Sequence, residues 1–133
     1  MKLIMVLWLL LVGLTGMEDE GQPERGNPAQ QVQVKARRFK FVPSRINMKA
    51  GTTIEIVLTS QDVTHGFRIV GTDTDVRIPP RGEGKAKVTF QAEKPGWYRF
   101  ECSRPCGAGH ASMRGVIRVV PSSSTVHGPG FKE

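Results

Sequence analysis

Residues 84–102, GKAKVTFQAEKPGWYRFEC, decide the fold class. Ala86, Val88 and Phe90 alternate with Lys87 and Thr89, which is the period of two that a strand with one buried face requires. Pro95-Gly96 is a turn signal, and a second strand is expected over 97–102. The same pattern runs outward in both directions. Upstream, residues 31–36 alternate Val32, Val34 and Ala36, and Phe39 and Phe41 read as continuing that strand until Pro43-Ser44 ends it. Ile46 and Met48 alternate before a turn at Ala50-Gly51. Thr53–Ser60 places Ile54, Ile56 and Leu58 on one face, Phe67 and Ile69 share a face, and Val76 and Ile78 precede the turn Pro79-Pro80-Arg81-Gly82. Downstream, 115–120 forms the last strand. No window holds a helical period and no internal repeat is visible. Seven to eight short strands, with turn signals about every 8–12 residues, predict an all-β antiparallel sandwich or barrel.

The 133 residues are 38% hydrophobic and 23% charged, with 15 glycines and 9 prolines. This is a globular composition rich in turns, and the length suits one domain. The net charge is +7. Such a charge suits nucleic acid, an acidic lipid surface or an acidic protein, and by itself selects none of them. Residues 3–12, LIMVLWLLLV, follow Met1-Lys2 and precede Gly13-Leu14-Thr15-Gly16. This is the layout of a secretory signal. As a helix, residues 3–16 span only about 21 Å against about 30 Å of hydrocarbon, so a cleaved leader over 1–16 is expected, with a short membrane anchor as the alternative. Residues 17–30 read as a flexible linker, 31–120 as the folded domain, and 121–133, with His127, as a disordered tail. Export to the periplasm or the outer face of the cytoplasmic membrane makes nucleic acid an unsuitable partner. The basic-aromatic run Lys35-Ala-Arg37-Arg38-Phe39-Lys40-Phe41 then reads as a strand with one charged face.

Chemistry is concentrated in Cys102-Ser-Arg-Pro-Cys106-Gly-Ala-Gly-His110-Ala-Ser-Met113. Two thiols, an imidazole and a thioether fall within one loop between two predicted strands. In an exported chain, two cysteines read first as a disulfide. A bridge across three intervening residues, however, closes a small loop and constrains the unfolded chain little. With His110 and Met113 following Cys106, metal ligation is the stronger reading. Thiolate and thioether favour Cu(I), while imidazole suits both copper oxidation states. A second imidazole must come from elsewhere, and His65 in Asp62-Val-Thr-His65-Gly-Phe67 stands at a strand end. A single blue copper held by two His, one Cys and a weak Met obeys the same ligand logic. Gly107 and Gly109 read as turn residues that let the loop fold tightly.

The loop Cys-x3-Cys-x3-His-x2-Met resembles the CuA loop of cytochrome c oxidase subunit II and of nitrous oxide reductase. Asp-Val-x-His-x-Phe resembles the strand that supplies that family's first histidine. The resemblance runs from about Val32 to Val120 and includes Phe39-x-Phe41-x-Pro43 and Pro95-Gly96-x-Tyr98-x-Phe100-x-Cys102. It implies a Greek-key cupredoxin sandwich and two copper ions bridged by the sulfurs of Cys102 and Cys106. His65 and His110 would each bind one copper. Met113 would be a weak ligand to one, and the backbone carbonyl of Arg104 a ligand to the other. A c-type cytochrome or other redox donor would supply the electron, and a haem–copper oxidase core would accept it. The chain would have no catalytic activity of its own.

Some features depart from that family. Arg104 stands where subunit II usually carries Glu, so no magnesium site is expected. The two long membrane helices are absent, and the N-terminal segment is the one candidate for membrane association. Trp97 lies in a strand beside a turn, and no aromatic stretch precedes His65. Arg68, Arg104 and Arg114 read either as solvated charge or as a basic rim around His110 that steers an acidic partner. Two other readings stay open: a periplasmic Cu(I) carrier for oxidase assembly, and a mononuclear blue-copper protein with Cys102 idle.

Overall fold

The computed structural model describes residues 30–123. The expected leader, the linker up to residue 29, and the tail from residue 124 with His127 lie outside the described residues. The described chain forms nine strands: β1 (Gln30–Arg37), β2 (Lys40–Val42), β3 (Arg45–Lys49), β4 (Thr53–Ser60), β5 (His65–Ile69), β6 (Asp75–Ile78), β7 (Ala86–Gln91), β8 (Gly96–Glu101) and β9 (Arg114–Val120). A single 3-10 turn, His110–Ser112, lies between β8 and β9. Among the described residues no helix is long and apolar enough to cross a membrane.

The strands build two sheets, ordered β2-β1-β4-β7 and β3-β9-β8-β5-β6. This is the expected all-β sandwich, with one strand more than the seven to eight predicted. The extra strand comes from the first segment. Val34 and Ala36 are buried, and so is Phe41. Even and odd positions cannot share a face of one continuous strand. The chain therefore reverses at Arg38-Phe39, and β2 folds back on β1 with Arg37 opposite Lys40. The Arg38-Phe39 pair is a turn and not part of a charged strand face. Two pairings, β1 with β4 and β3 with β9, are parallel, where the sequence suggested antiparallel strands throughout. The reason is topological: β3 pairs in the opposite sheet, so β4 re-enters the first sheet running in the direction of β1.

Apolar residues fill the space between the sheets. Val34, Ile54, Ile56 and Leu58 on one side face Phe67, Ile69, Phe100 and Ile117 on the other, all fully buried. Phe41, Phe67 and Phe100 form an aromatic cluster with ring centroids 4.9–5.7 Å apart. Such pairs contribute about 0.5–1.5 kcal/mol each beyond the burial itself. Phe67 lies two residues after His65 and Phe100 two residues before Cys102. The cluster thereby anchors the ends of β5 and β8 from which the candidate ligands project.

Candidate metal centre

His65 opens β5 and Cys102 follows β8 directly. The two strands pair antiparallel, with Arg68 opposite Glu101, so both residues arrive at the same end of the sandwich. Between Cys102 and β9 the chain closes on itself. Cys102 N–H donates to the Met113 carbonyl at 3.0 Å, His110 N–H to the Gly107 carbonyl at 3.1 Å, and Met113 N–H to the His110 carbonyl at 3.1 Å. The first bond joins the two ends of the loop, and the other two tighten its turn.

The result is a chain of donors centred on two sulfurs. Cys102 Sγ and Cys106 Sγ are 3.8 Å apart, and neither is in a disulfide. His65 Nδ1 lies 3.9 Å from Cys102 Sγ, and His110 Nδ1 lies 3.7 Å from Cys106 Sγ. The Arg104 carbonyl is 3.2 Å from Cys102 Sγ, and Met113 Sδ is 3.9 Å from Cys106 Sγ. Ligand atoms of His65, Cys102 and Cys106 all lie within 4.8 Å of one another. All six residues singled out in the sequence are thus brought together. His65, Cys102, Cys106 and Met113 are buried, whereas His110 and Arg104 are half-buried and mark the solvent side.

The electrostatics suit a cation. Burial, and then the neighbouring Cys102, push the Cys106 thiol up to about 11. Without a metal, two thiolates this close would repel in a poorly solvated site, and a soft cation offsets that repulsion. The Gly66 N–H donates to Cys102 Sγ at 3.4 Å. The outer nitrogen of His65, Nε2, lies 2.7 Å from Asp62 Oδ1, leaving Nδ1 facing the sulfur. Burial works against the charge of Asp62, but N–H donors from Arg38, His65 and Val63 outweigh it and hold the carboxyl down to about 2. A carboxylate behind a ligating imidazole fixes the tautomer and the ring orientation. Two thiols and a thioether are soft donors and two Nδ1 atoms are borderline ones; with a single carbonyl oxygen beside them, the set fits copper.

Three residues here had no assigned role in the sequence. Asp62 stands three residues before His65 in the motif itself. Arg38 and Phe39 come from the β1–β2 turn, and the break in alternation between Ala36 and Phe41 is the signal that could have placed them. The Phe39 ring occupies the space where a Cβ at Gly107 or Gly109 would sit. Gly107 has φ +137°, so it needs glycine for its backbone as well. The two glycines make room for a ring as much as they turn the loop. Two of the three arginines read as solvated charge or as a basic rim are engaged in ion pairs. Arg68 is paired with Glu101, and Arg104 Nη1 lies 2.8 Å from Asp75. Arg114 donates to the Ala111 carbonyl at 2.9 Å. Among the described residues, Arg114 is the one of the three with no carboxylate in ion-pair reach. Trp97 is 63% exposed at the start of β8, the strand end opposite Cys102, beneath Arg118 at 5.6 Å.

A two-sheet sandwich that gathers His65, Cys102, Cys106 and Met113 at the ends of its strands is a cupredoxin with its copper site. Residues 2–119 match the family described as the Cupredoxin-like domain, and the chain belongs to it. It is 39% identical over 88 residues to cytochrome c oxidase subunit 2 of Thermus thermophilus, covering 66% of this chain. The chain spans 64% and 51% of the lengths of the two curated relatives of that name that it matches. A chain of a heme-copper terminal oxidase dimer, solved by cryo-electron microscopy, superposes with a TM-score of 0.61 at 30% identity, covering 72% of this chain and 68% of that one. The periplasmic domain of subunit II of cytochrome oxidase from Bradyrhizobium japonicum shares the fold, with a TM-score of 0.63 at 18% identity over 70% of this chain and 85% of that one.

Proposed function

We propose that this chain is an electron-transfer protein holding two copper ions, related in role to oxidase subunit II. One observation carries the reading. Each sulfur has its own imidazole nitrogen and its own additional donor: His65 and the Arg104 carbonyl beside Cys102, and His110 and Met113 beside Cys106. Donors arranged as two half-sites around a shared sulfur pair suit two ions better than one. Copper, when bound, supplies a one-electron change without a change of ligands. The chain's residues supply the rest. The buried sulfurs exclude water, Asp62 holds the His65 ring, and the half-buried His110 gives the route to the surface. The burial of Cys102, Cys106 and Met113 disfavours an exchangeable carrier site, which needs open access to incoming ligands.

On this reading the electron comes from a c-type cytochrome or similar donor and passes to a haem–copper oxidase. Residues 1–16 direct export or anchor the chain, and 31–120 is the working domain. Copper content separates the readings. Wild-type protein loaded with excess copper and desalted is expected to retain two copper per chain, and Cys102→Ser at most one. One copper in both proteins would contradict the proposal and favour a mononuclear site. Rapid loss of copper from wild type to a chelator would favour the carrier.

A further inference from the structure

The Arg38-Phe39 turn belongs to the sheet that carries no ligand, yet it touches both ligand-bearing segments. Arg38 does so twice. Its backbone N–H donates to Asp62 Oδ2 at 2.8 Å, and the other oxygen of Asp62 supports His65 at 2.7 Å. Its side-chain Nε–H donates to the Cys106 carbonyl at 3.0 Å. One residue thus ties the support of the first histidine to the second cysteine, from a strand connection 68 positions away from that cysteine in the chain. Phe39 seats the turn by filling the space over Gly107 and Gly109.

We propose that Arg38 is a positioning residue of the copper centre: it clamps the Cys106 loop against the His65 segment and keeps a fixed positive charge beside the sulfur pair. This rests on the copper reading above. A hydrogen bond to the Cys106 carbonyl fixes the plane of the peptide that follows Cys106, and with it the backbone that carries Sγ. The guanidinium carries its charge at every working pH. Reduction adds one electron, and so one negative charge, to the centre. A nearby cation therefore favours the reduced form and raises the reduction potential. Arg38 is an exposed residue whose bond to the Cys106 carbonyl is part-buried, so water attenuates the charge effect more than the hydrogen bond. The backbone N–H to Asp62 survives replacement of the side chain, so side-chain variants isolate the Cys106 arm of the clamp.

The test uses the full chain as wild type, Arg38→Gln and Arg38→Lys. Three quantities are measured: the rate of Cu(I) loss to bicinchoninate, the reduction potential, and the melting temperature of the metal-free protein. A hydrogen bond from a charged donor is worth enough that Arg38→Gln should lose copper about tenfold faster. Its potential should also fall. Arg38→Lys keeps the charge but not the planar Nε–H donor. It should recover most of the potential and little of the copper retention, a split that simple loss of packing would not produce. The melting temperature identifies a variant that fails to fold, in which case the Lys variant carries the comparison. Copper loss and potential at the wild-type values in Arg38→Gln would overturn the proposal. So would a Lys variant indistinguishable from the Gln variant in both. The comparison with wild type holds whether the protein carries one copper or two, whereas wild-type copper content tests the functional reading separately.

Discussion

Replacing Asp62 by Ala probes how the site is held before any metal arrives. The carboxylate accepts hydrogen bonds from the Arg38 and Val63 N–H groups, both at 2.8 Å, and lies 2.7 Å from His65 Nε2. His65 is 0% exposed, so removing its partner leaves a buried ring nitrogen without one, at a cost of about 1–3 kcal/mol. The charge gives an independent figure. A carboxyl held at about 2 instead of its ordinary 3.8 corresponds to at most about 2 kcal/mol of stabilisation at neutral pH, after discounting for a side chain 30% exposed. Both routes are consistent with a loss of about 1–2 kcal/mol. For a domain of this size that lowers the melting temperature by roughly 5–15 °C. The pH dependence has a definite sign. A depressed carboxylate stabilises fully above its unfolded value of 3.8, and the effect fades as pH falls toward about 2. The gap between wild type and Asp62→Ala should therefore be full at pH 7 and shrink through that acid window. Thermal unfolding of the metal-free proteins followed by circular dichroism measures it. A gap below about 4 °C at pH 7, or one that widens with acid, would refute the reasoning.

Further outcomes follow from the same geometry. Gly109→Ala forces a Cβ into the Phe39 ring, and overpacking of this kind costs about 1–3 kcal/mol, which appears as a lower melting temperature of the metal-free protein. Phe100→Ala removes a fully buried ring packed against Phe41 and Phe67, a loss of about 3–5 kcal/mol that takes much of a small domain's stability margin and is read by denaturant unfolding. Arg114→Glu reverses the cation that follows Met113. It should lower the reduction potential by an amount worth about 1 kcal/mol or less, weakening with added salt, as protein-film voltammetry would show.

Alternation alone revealed most of the sandwich. Ile54, Ile56 and Leu58, or Ala86, Val88 and Phe90, can satisfy a buried face in only one way, and the structure uses that way. The ligand loop was equally legible, because soft donors at short spacing between strands have few purposes. The reversal at Arg38-Phe39 was less visible, since Phe39 and Phe41 looked like more of the same strand. Only the change from even to odd positions betrayed it. The partners of the site were hidden for a different reason. Arg38 meets Cys106 and Asp62 through contacts that cross the sandwich, and no local pattern encodes them. Arg68 and Arg104 looked like free charge because their partners, Glu101 and Asp75, belong to other strands. Ion pairs with Glu101 and Asp75 engage two of the three arginines that the linear sequence showed as basic.

The most direct test of the central claim is the electron paramagnetic resonance spectrum of the copper-loaded protein in its one-electron-oxidised form. An unpaired electron shared equally by two copper nuclei across the Cys102 and Cys106 sulfurs gives seven hyperfine lines, and this is the predicted result. Four lines, from an electron confined to one copper, would contradict a shared two-copper centre.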